Sequence, residues 1–390
     1  MKQYSSLFFL IIILILALFM IIHPEATVEA AAEGLKLWSK VVLPALLPFF
    51  IVAELMFSLG LVYILGMFLE PIMQPLFRLP GCSSLVVAMG FTSGFPVGAL
   101  LSRKLYDEKL LTAEETERLT SFTNNSSPLF ILGAVGIGMF ASREIGYLLA
   151  LSHYAANFLV GILWKTKAPI RIKRNREKAR EQTAARVLLQ DKWLNLDIGS
   201  VLSEAIKNSV NNILAIGGFI LIFSVITRML TWWGVMGLLA KIIQNLLFFV
   251  DVSWQCAYGT AMGIFEMTIG IQTVAAAPAA GLSAQLAATS LVLAFSGLSV
   301  IAQIMGIFAG TPIRLSFYLL SRLMQMVFSC IITLLGYKFW LSRQGILPAI
   351  TMDSYKILYS FDALSIVSYS ILGSFILLII LVIMAIIIKD

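Results

Sequence analysis

Five hydrogen-bonding side chains in succession, Thr123, Asn124, Asn125, Ser126 and Ser127, stand directly before Pro128 inside an otherwise apolar stretch. Pro128 has no amide hydrogen to offer the preceding turn, and its ring turns Ser127 away from helical backbone, so several main-chain groups are released at one place. In hydrocarbon such groups are costly to leave unsatisfied, and they must face a polar cavity or a ligand. An interfacial helix cap accounts for one or two of these residues, not for the whole run. The chemistry indicated is non-covalent: amides, hydroxyls and bare backbone groups that replace the hydration shell of a polar solute.

Three other segments have the same character. In GFTSGFPVG, residues 90–98, Gly94 permits a turn, Pro96 can open a helix at its first position, and Thr92 and Ser93 bring hydroxyls to where backbone donors go unpaired. Helix N-termini of this kind attract anions. A re-entrant hairpin is preferred here over a cytoplasmic loop capping two ordinary helices. In FSGLS, residues 295–299, Ser296 and Ser299 flank Gly297, with Gln303 one turn on. In MGIFEMTIG, Glu266 stands amid apolar residues, with Thr268 and Gln272 on the same turn. An ionisable group within a membrane segment is a functional candidate, here for a proton or a coupling cation such as sodium. The plainer alternative is a glutamate at the outer interface. Glu54, one turn past LPALLPFF, is a second carboxylate candidate.

The remaining polar residues read more plainly. Arg103, Arg228, Arg314 and Arg322 stand near predicted helix ends and are read as topology anchors. His153 is the one histidine inside a predicted span and reads as a hydrogen-bonded core residue, while Trp164, Trp232, Trp233, Trp254 and Trp340 suit an aromatic belt. Cys82, Cys256 and Cys330 have no metal-ligand spacing, and no Walker, HExxH, CxxC or Ser/His/Asp pattern occurs. The expectation is a protein that is not an enzyme, with no cofactor and no metal.

The elements that must position these residues are membrane helices. Of 390 residues, 59% are hydrophobic and only 13% charged, and the mean hydropathy is +0.92. A water-soluble surface cannot be assembled from that, so the solvent is mostly lipid. Apolar runs near the ~20 residues that cross a bilayer core predict spans at 5–22, 40–66, 128–141, 145–164, 207–230, 286–309, 315–340 and 365–388. The first is read as a retained span, not a cleaved signal. Residues 231–250 fit either an interfacial or a crossing segment.

Much of the net charge of +7 sits in one block, residues 165–180. Between two apolar spans this is read as a cytoplasmic topogenic signal and not as a nucleic-acid surface. Propagated along the chain, that choice places the N-terminus, Arg103, Lys104 and Arg314 inside, and the acidic loop 23–33 outside.

Shifting the chain on itself by 173 positions brings MGFTSGF at Met89 onto MGIFEMT at Met262, and FTNNSSPLFILG at Phe122 onto FSGLSVIAQIMG at Phe295. Identities are few, but the order of elements matches. Each half has an odd number of crossings, so the second copy must be inverted. Inverted repeats with interrupted helices at matching positions point to a midplane solute site in a transporter. The expected fold is thus an all-α polytopic membrane protein, built as inverted repeats with two re-entrant hairpins and two broken helices. The divisions are 1–33, an N-terminal helix and outer loop; 34–165, the first repeat; 166–200, a basic cytoplasmic linker; 201–340, the second repeat; and 341–390, an outer loop and last helix.

LPFFIVAEL at Leu47, MGFTSGFPVGA at Met89, TNNSSPLFILGAVG at Thr123 and MGIFEMTIG at Met262 together resemble sporulation integral membrane proteins of the YlbJ type, also called stage V sporulation protein VV, within the nucleoside-recognition (Gate) group. The resemblance covers nearly the whole chain. It implies a fold similar to concentrative nucleoside transporters and import of dipicolinic acid from the mother cell across the outer forespore membrane. Coupling ion, direction and homo-oligomerisation stay open. A nucleoside or other polar solute, and a non-transporting assembly role in the forespore membrane, are the alternatives.

Overall fold

The computed structural model describes residues 2–59, 69, 71–128, 130–166, 197–246, 252–277 and 281–341. Most of the basic block, the linker to residue 196 and the predicted last span lie outside the described residues. Every regular element among those described is a helix.

The first half begins with α1 (Lys2–Ile22) and α2 (Pro24–Leu37), which meet at His23 with a bend of 107°. Of the stretch 23–33, expected as a loop, residues 24–33 are helical: Pro24 sits at the helix start, where its missing N–H costs nothing. A π-wound turn (Trp38–Val42) leads into α3 (Leu43–Ser58). Then come α4 (Ser83–Ser93), α5 (Val97–Asp107) and α6 (Ala113–Thr123). The π-wound α7 (Phe130–Met139) and α8 (Arg143–Lys165) complete it.

The second half comprises α9 (Ile198–Trp232), α10 (Val235–Leu246), α11 (Trp254–Phe265) and α12 (Met267–Ala275). It continues with α13 (Leu282–Phe295), α14 (Gly297–Ile307) and α15 (Leu315–Gly336), which a π-wound turn (Tyr337–Leu341) extends.

Among the described residues, four stretches are long and apolar enough to cross a membrane: Arg143–Lys165, Ile198–Trp232, Leu282–Ile307 and Leu315–Trp340. The bent α1–α2 pair adds a fifth if it is taken as one span. The chain is an integral membrane protein. Segment 128–141, expected to cross, contains only the ten-residue α7, and α10 has twelve residues. Both fall short of the ~20 needed.

Packing centres on α8 and α15, which lie against each other and both contact α6 and α13. Helix α15 is amphipathic in the membrane sense. Leu320, Leu323, Val327, Ile331 and Leu335 face outward, whereas Tyr318, Ser321, Arg322, Gln325, Ser329 and Thr333 are buried. Lipid accepts the apolar side, and the polar side must be satisfied by neighbouring helices.

Candidate functional site

Local chemistry sets the breaks. Helix α6 starts on a capping box in which Thr112 Oγ1 accepts from the Glu115 amide at 3.3 Å and the Glu115 carboxylate accepts from the Thr112 amide at 2.9 Å. It ends at Asn124, and Ser127 Oγ then accepts the Phe130 amide at 3.2 Å to open α7. Residues Asn124 to Ser127 are left non-helical, and the first three of them are at most 1% exposed. Between α4 and α5, Gly94 adopts φ 85° and ψ −170°, a backbone region reserved in practice for glycine. Between α11 and α12, Glu266 is extended and its carboxylate accepts the Ile269 amide at 2.8 Å, forming the N-cap of α12. Between α13 and α14, Ser296 and Gly297 both take positive φ, 71° and 81°.

The four breaks meet. A Cβ on Gly94 would stand 2.7 Å from the Ser127 amide nitrogen, and one on Gly297 would stand 3.1 Å from the Phe265 carbonyl. Ser126 Oγ contacts Met267 Sδ at 3.9 Å, joining the break of the first half to that of the second. Phe95 and Phe295 pack on one apolar cluster with Ala99, Val300, Ile301 and Ile304.

Several predicted site residues gather here with ordinary local roles. Thr92 Oγ1 donates to Ala88 O and Thr123 Oγ1 to Leu119 O, both at 2.8 Å. Asn125 Nδ2 donates to Phe122 O at 2.8 Å, and Ser296 Oγ to its neighbour Phe295 O. Ser93 Oγ, Asn124 Oδ1 and Asn125 Oδ1 are buried without a hydrogen-bond partner. Thr268 hydrogen-bonds Glu266, and Ser299 and Gln303 are buried on α14.

Two predicted residues are placed elsewhere. Glu54 is the ion-pair partner of Lys104, Oε2 to Nζ 2.5 Å, which ties α3 to α5. Gln272 lines an open cleft of about 440 Å³ with Trp254, Tyr258 and Thr273.

Residues read as plain turn out to frame the Asn124–Ser127 break. Arg322 is fully buried, not an anchor at a helix end. Its Nη1 donates to Asn124 O at 3.2 Å, and its Nη2 to Ser121 O and to Asn157 Oδ1, the latter at 3.3 Å. Asn124 Nδ2 donates to Tyr318 Oη at 2.9 Å, and Tyr154 Oη to Ser126 O at 2.8 Å. His153 Nε2 accepts the Ser126 amide at 3.3 Å, so that nitrogen carries no proton. The neutral ring then holds its proton on Nδ1, and the 3.4 Å contact to Gln325 becomes satisfied when Gln325 presents its oxygen, which otherwise lacks a partner. Trp164 is not a belt residue either: it is buried, and Nε1 donates to Ser321 Oγ at 2.9 Å. The legible signal was the three-to-four-residue spacing of Tyr318, Ser321, Arg322, Gln325 and Ser329 inside an apolar helix.

At the charged end of the molecule, Glu117 accepts from the Arg314 guanidinium at 2.6 Å and from the Arg314 backbone amide at 2.6 Å. Arg103 Nη1 donates to Ile307 O and Ala309 O at 2.9 and 3.1 Å. Among the described residues no cluster of His, Cys, Asp and Glu fits a metal ion, and the three cysteines are free.

Fold and packing together define a polytopic, all-helical membrane protein, and residues 39–163 match the family described as nucleoside recognition (Gate). The chain is also 37% identical, over 325 residues, to the sporulation integral membrane protein YlbJ of Bacillus subtilis (strain 168), a match covering 81% of this chain and 79% of that protein. It belongs to the YlbJ family of sporulation integral membrane proteins.

Proposed function

We propose that this chain is a secondary transporter of a small polar anion, and that the solute is dipicolinate, moved from the mother cell towards the forespore. The observation that carries the reading is the convergence of four helix breaks at buried backbone, with Ser126 of one half against Met267 of the other. Half-helix ends and freed amides at such a junction replace the water stripped from a charged solute. The order hairpin, broken helix, long helix occurs twice, as α4 to α8 and again as α11 to α15, which supports an inverted repeat. In this reading the Arg103 and Arg314 end is cytoplasmic, as is the N-terminus, and no enzymatic step is assigned.

Dipicolinate is a flat dianion, and neutral amides, hydroxyls and helix N-termini can hold carboxylates. Glu266 sits at the break of the second half, where it takes a proton or binds sodium. A bare carboxylate there repels the solute, so coupling and binding are linked. The family's description favours a second reading, a nucleoside at the same amide-rich break.

The test is uptake of labelled dipicolinate and uridine by proteoliposomes containing the full chain. Accumulation of dipicolinate but not uridine supports the proposal. Uridine uptake alone assigns the nucleoside reading, and uptake of neither, with protein correctly inserted, leaves a non-transporting membrane assembly role.

A further inference from the structure

We propose that Arg322 is the fixed positive charge that binds the anionic group of the solute and so selects for negative charge; this rests on the transport reading above. Arg322 lies two turns inside α15, fully buried, on the side of the helix away from the outward-facing Leu320, Leu323 and Val327. Its hydrogen-bond partners, Asn124 O, Ser121 O and Asn157 Oδ1, are all neutral, and its guanidinium stands 5.0 Å from the centre of the Tyr318 ring. Arg103, Lys104, Arg228 and Arg314 each pair with a carboxylate, whereas Arg322 forms no ion pair among the described residues. Its Nε is buried without an acceptor.

A purely structural role is the competing account, because Ser121 O and Asn124 O belong to the end of α6 and need donors. A neutral amide or a water meets that need. Burying a cation instead incurs a desolvation penalty that only an opposite charge offsets well. Among the described residues no carboxylate offsets the Arg322 charge. His153 supplies no second cation, since its Nε2 accepts a hydrogen bond. Neutral donors do stand nearby. If the Asn124 amide turns over, the Tyr318 hydroxyl donates to Oδ1 and the Nδ2 hydrogens are freed. One carboxylate of a dianion would then pair with Arg322 while amides and helix ends hold the other.

The experiment measures binding to the full chain in lipid nanodiscs for three ligands of nearly one shape: dipicolinate as dianion, 6-carbamoylpyridine-2-carboxylate as monoanion, and neutral pyridine-2,6-dicarboxamide. In the unmodified chain the neutral diamide should bind roughly thirtyfold or more weakly than dipicolinate, the size of effect seen on removing one member of a buried charge pair. Arg322→Gln should erase the preference, and Arg322→Lys should keep it with weaker binding. If Arg322→Gln does not fold, the unmodified-chain series and Arg322→Lys decide. Equal binding of diamide and dipicolinate, undiminished dipicolinate binding by folded Arg322→Gln, or loss of the preference in folded Arg322→Lys overturns the assignment while leaving transport intact. Failure of the unmodified chain to bind any of the three overturns the transport reading with it.

Discussion

Gly94 packs directly on the Ser127 backbone: a Cβ on Gly94 would lie 2.7 Å from the Ser127 nitrogen and 2.8 Å from its Cβ. The turn between α4 and α5 is thus seated directly on the break between α6 and α7.

Gly94→Ala meets both the clash and the φ of 85°. It should destabilise the protein by about 2 kcal/mol or more, as strained non-glycine backbone does, and abolish solute accumulation. Gly218→Ala on α9, where an added Cβ meets nothing within 4 Å, is the matched control and should leave uptake unchanged and stability unchanged or slightly raised. Thermal unfolding in detergent with parallel uptake assays separates the pair; a tolerant position 94 would show that the breaks do not depend on this contact.

Glu266→Gln keeps an oxygen to accept the Ile269 amide, so the α12 cap survives and the thermal midpoint should stay close to that of the unmodified chain. Uptake, in contrast, should fall by about tenfold or lose its cation dependence, because a glutamine does not titrate and brings no negative charge to neutralise a bound cation. Glu266→Ala removes the cap as well and should cost a further ~1 kcal/mol of stability. Full, cation-dependent uptake by Glu266→Gln would exclude this carboxylate from coupling.

Glu117 is buried while Arg314 is largely exposed, yet one carboxylate serves both the guanidinium and the backbone amide of residue 314. Glu117→Gln should cost about 2 kcal/mol, the scale of a charged hydrogen bond. Exchanging the two residues should not restore stability, because an arginine at 117 cannot accept the amide hydrogen of 314. Recovery in the exchanged double variant, read from denaturation curves, would reduce the link to simple charge attraction.

Asn124 and Tyr318 form a buried side-chain hydrogen bond across the two halves. Asn124→Ala and Tyr318→Phe should each destabilise by about 1 to 2 kcal/mol, and the double variant by less than their sum, with a coupling of at least ~0.5 kcal/mol. Strict additivity in that cycle would mean the two groups do not act together.

Much of the architecture was legible beforehand because its causes are local. Pro128 withholds an amide hydrogen wherever it sits, Gly94 permits a backbone that other residues resist, and a run such as 207–230 is long enough to cross whatever its neighbours are. For that reason the all-helical class, the breaks and the polar run from Thr123 to Ser127, buried as far as Ser126, could be read along the chain. Length misled at 128–141, where hydropathy carries no information about where a helix ends.

The amino-acid order by itself determined where helices must be interrupted and that lipid must surround them, since both follow from bonding capacity and polarity along a few consecutive residues. Tertiary structure alone decided which way each polar residue turns. Arg322 looked like an anchor and Trp164 like a belt residue, yet the packing of α8 against α15 buries both, while Glu54 is drawn to Lys104 and Gln272 to a separate cleft. A side chain's partners depend on how helices far apart in sequence rotate against one another, and that is set by the whole packed interior, not by the spacing around any one residue.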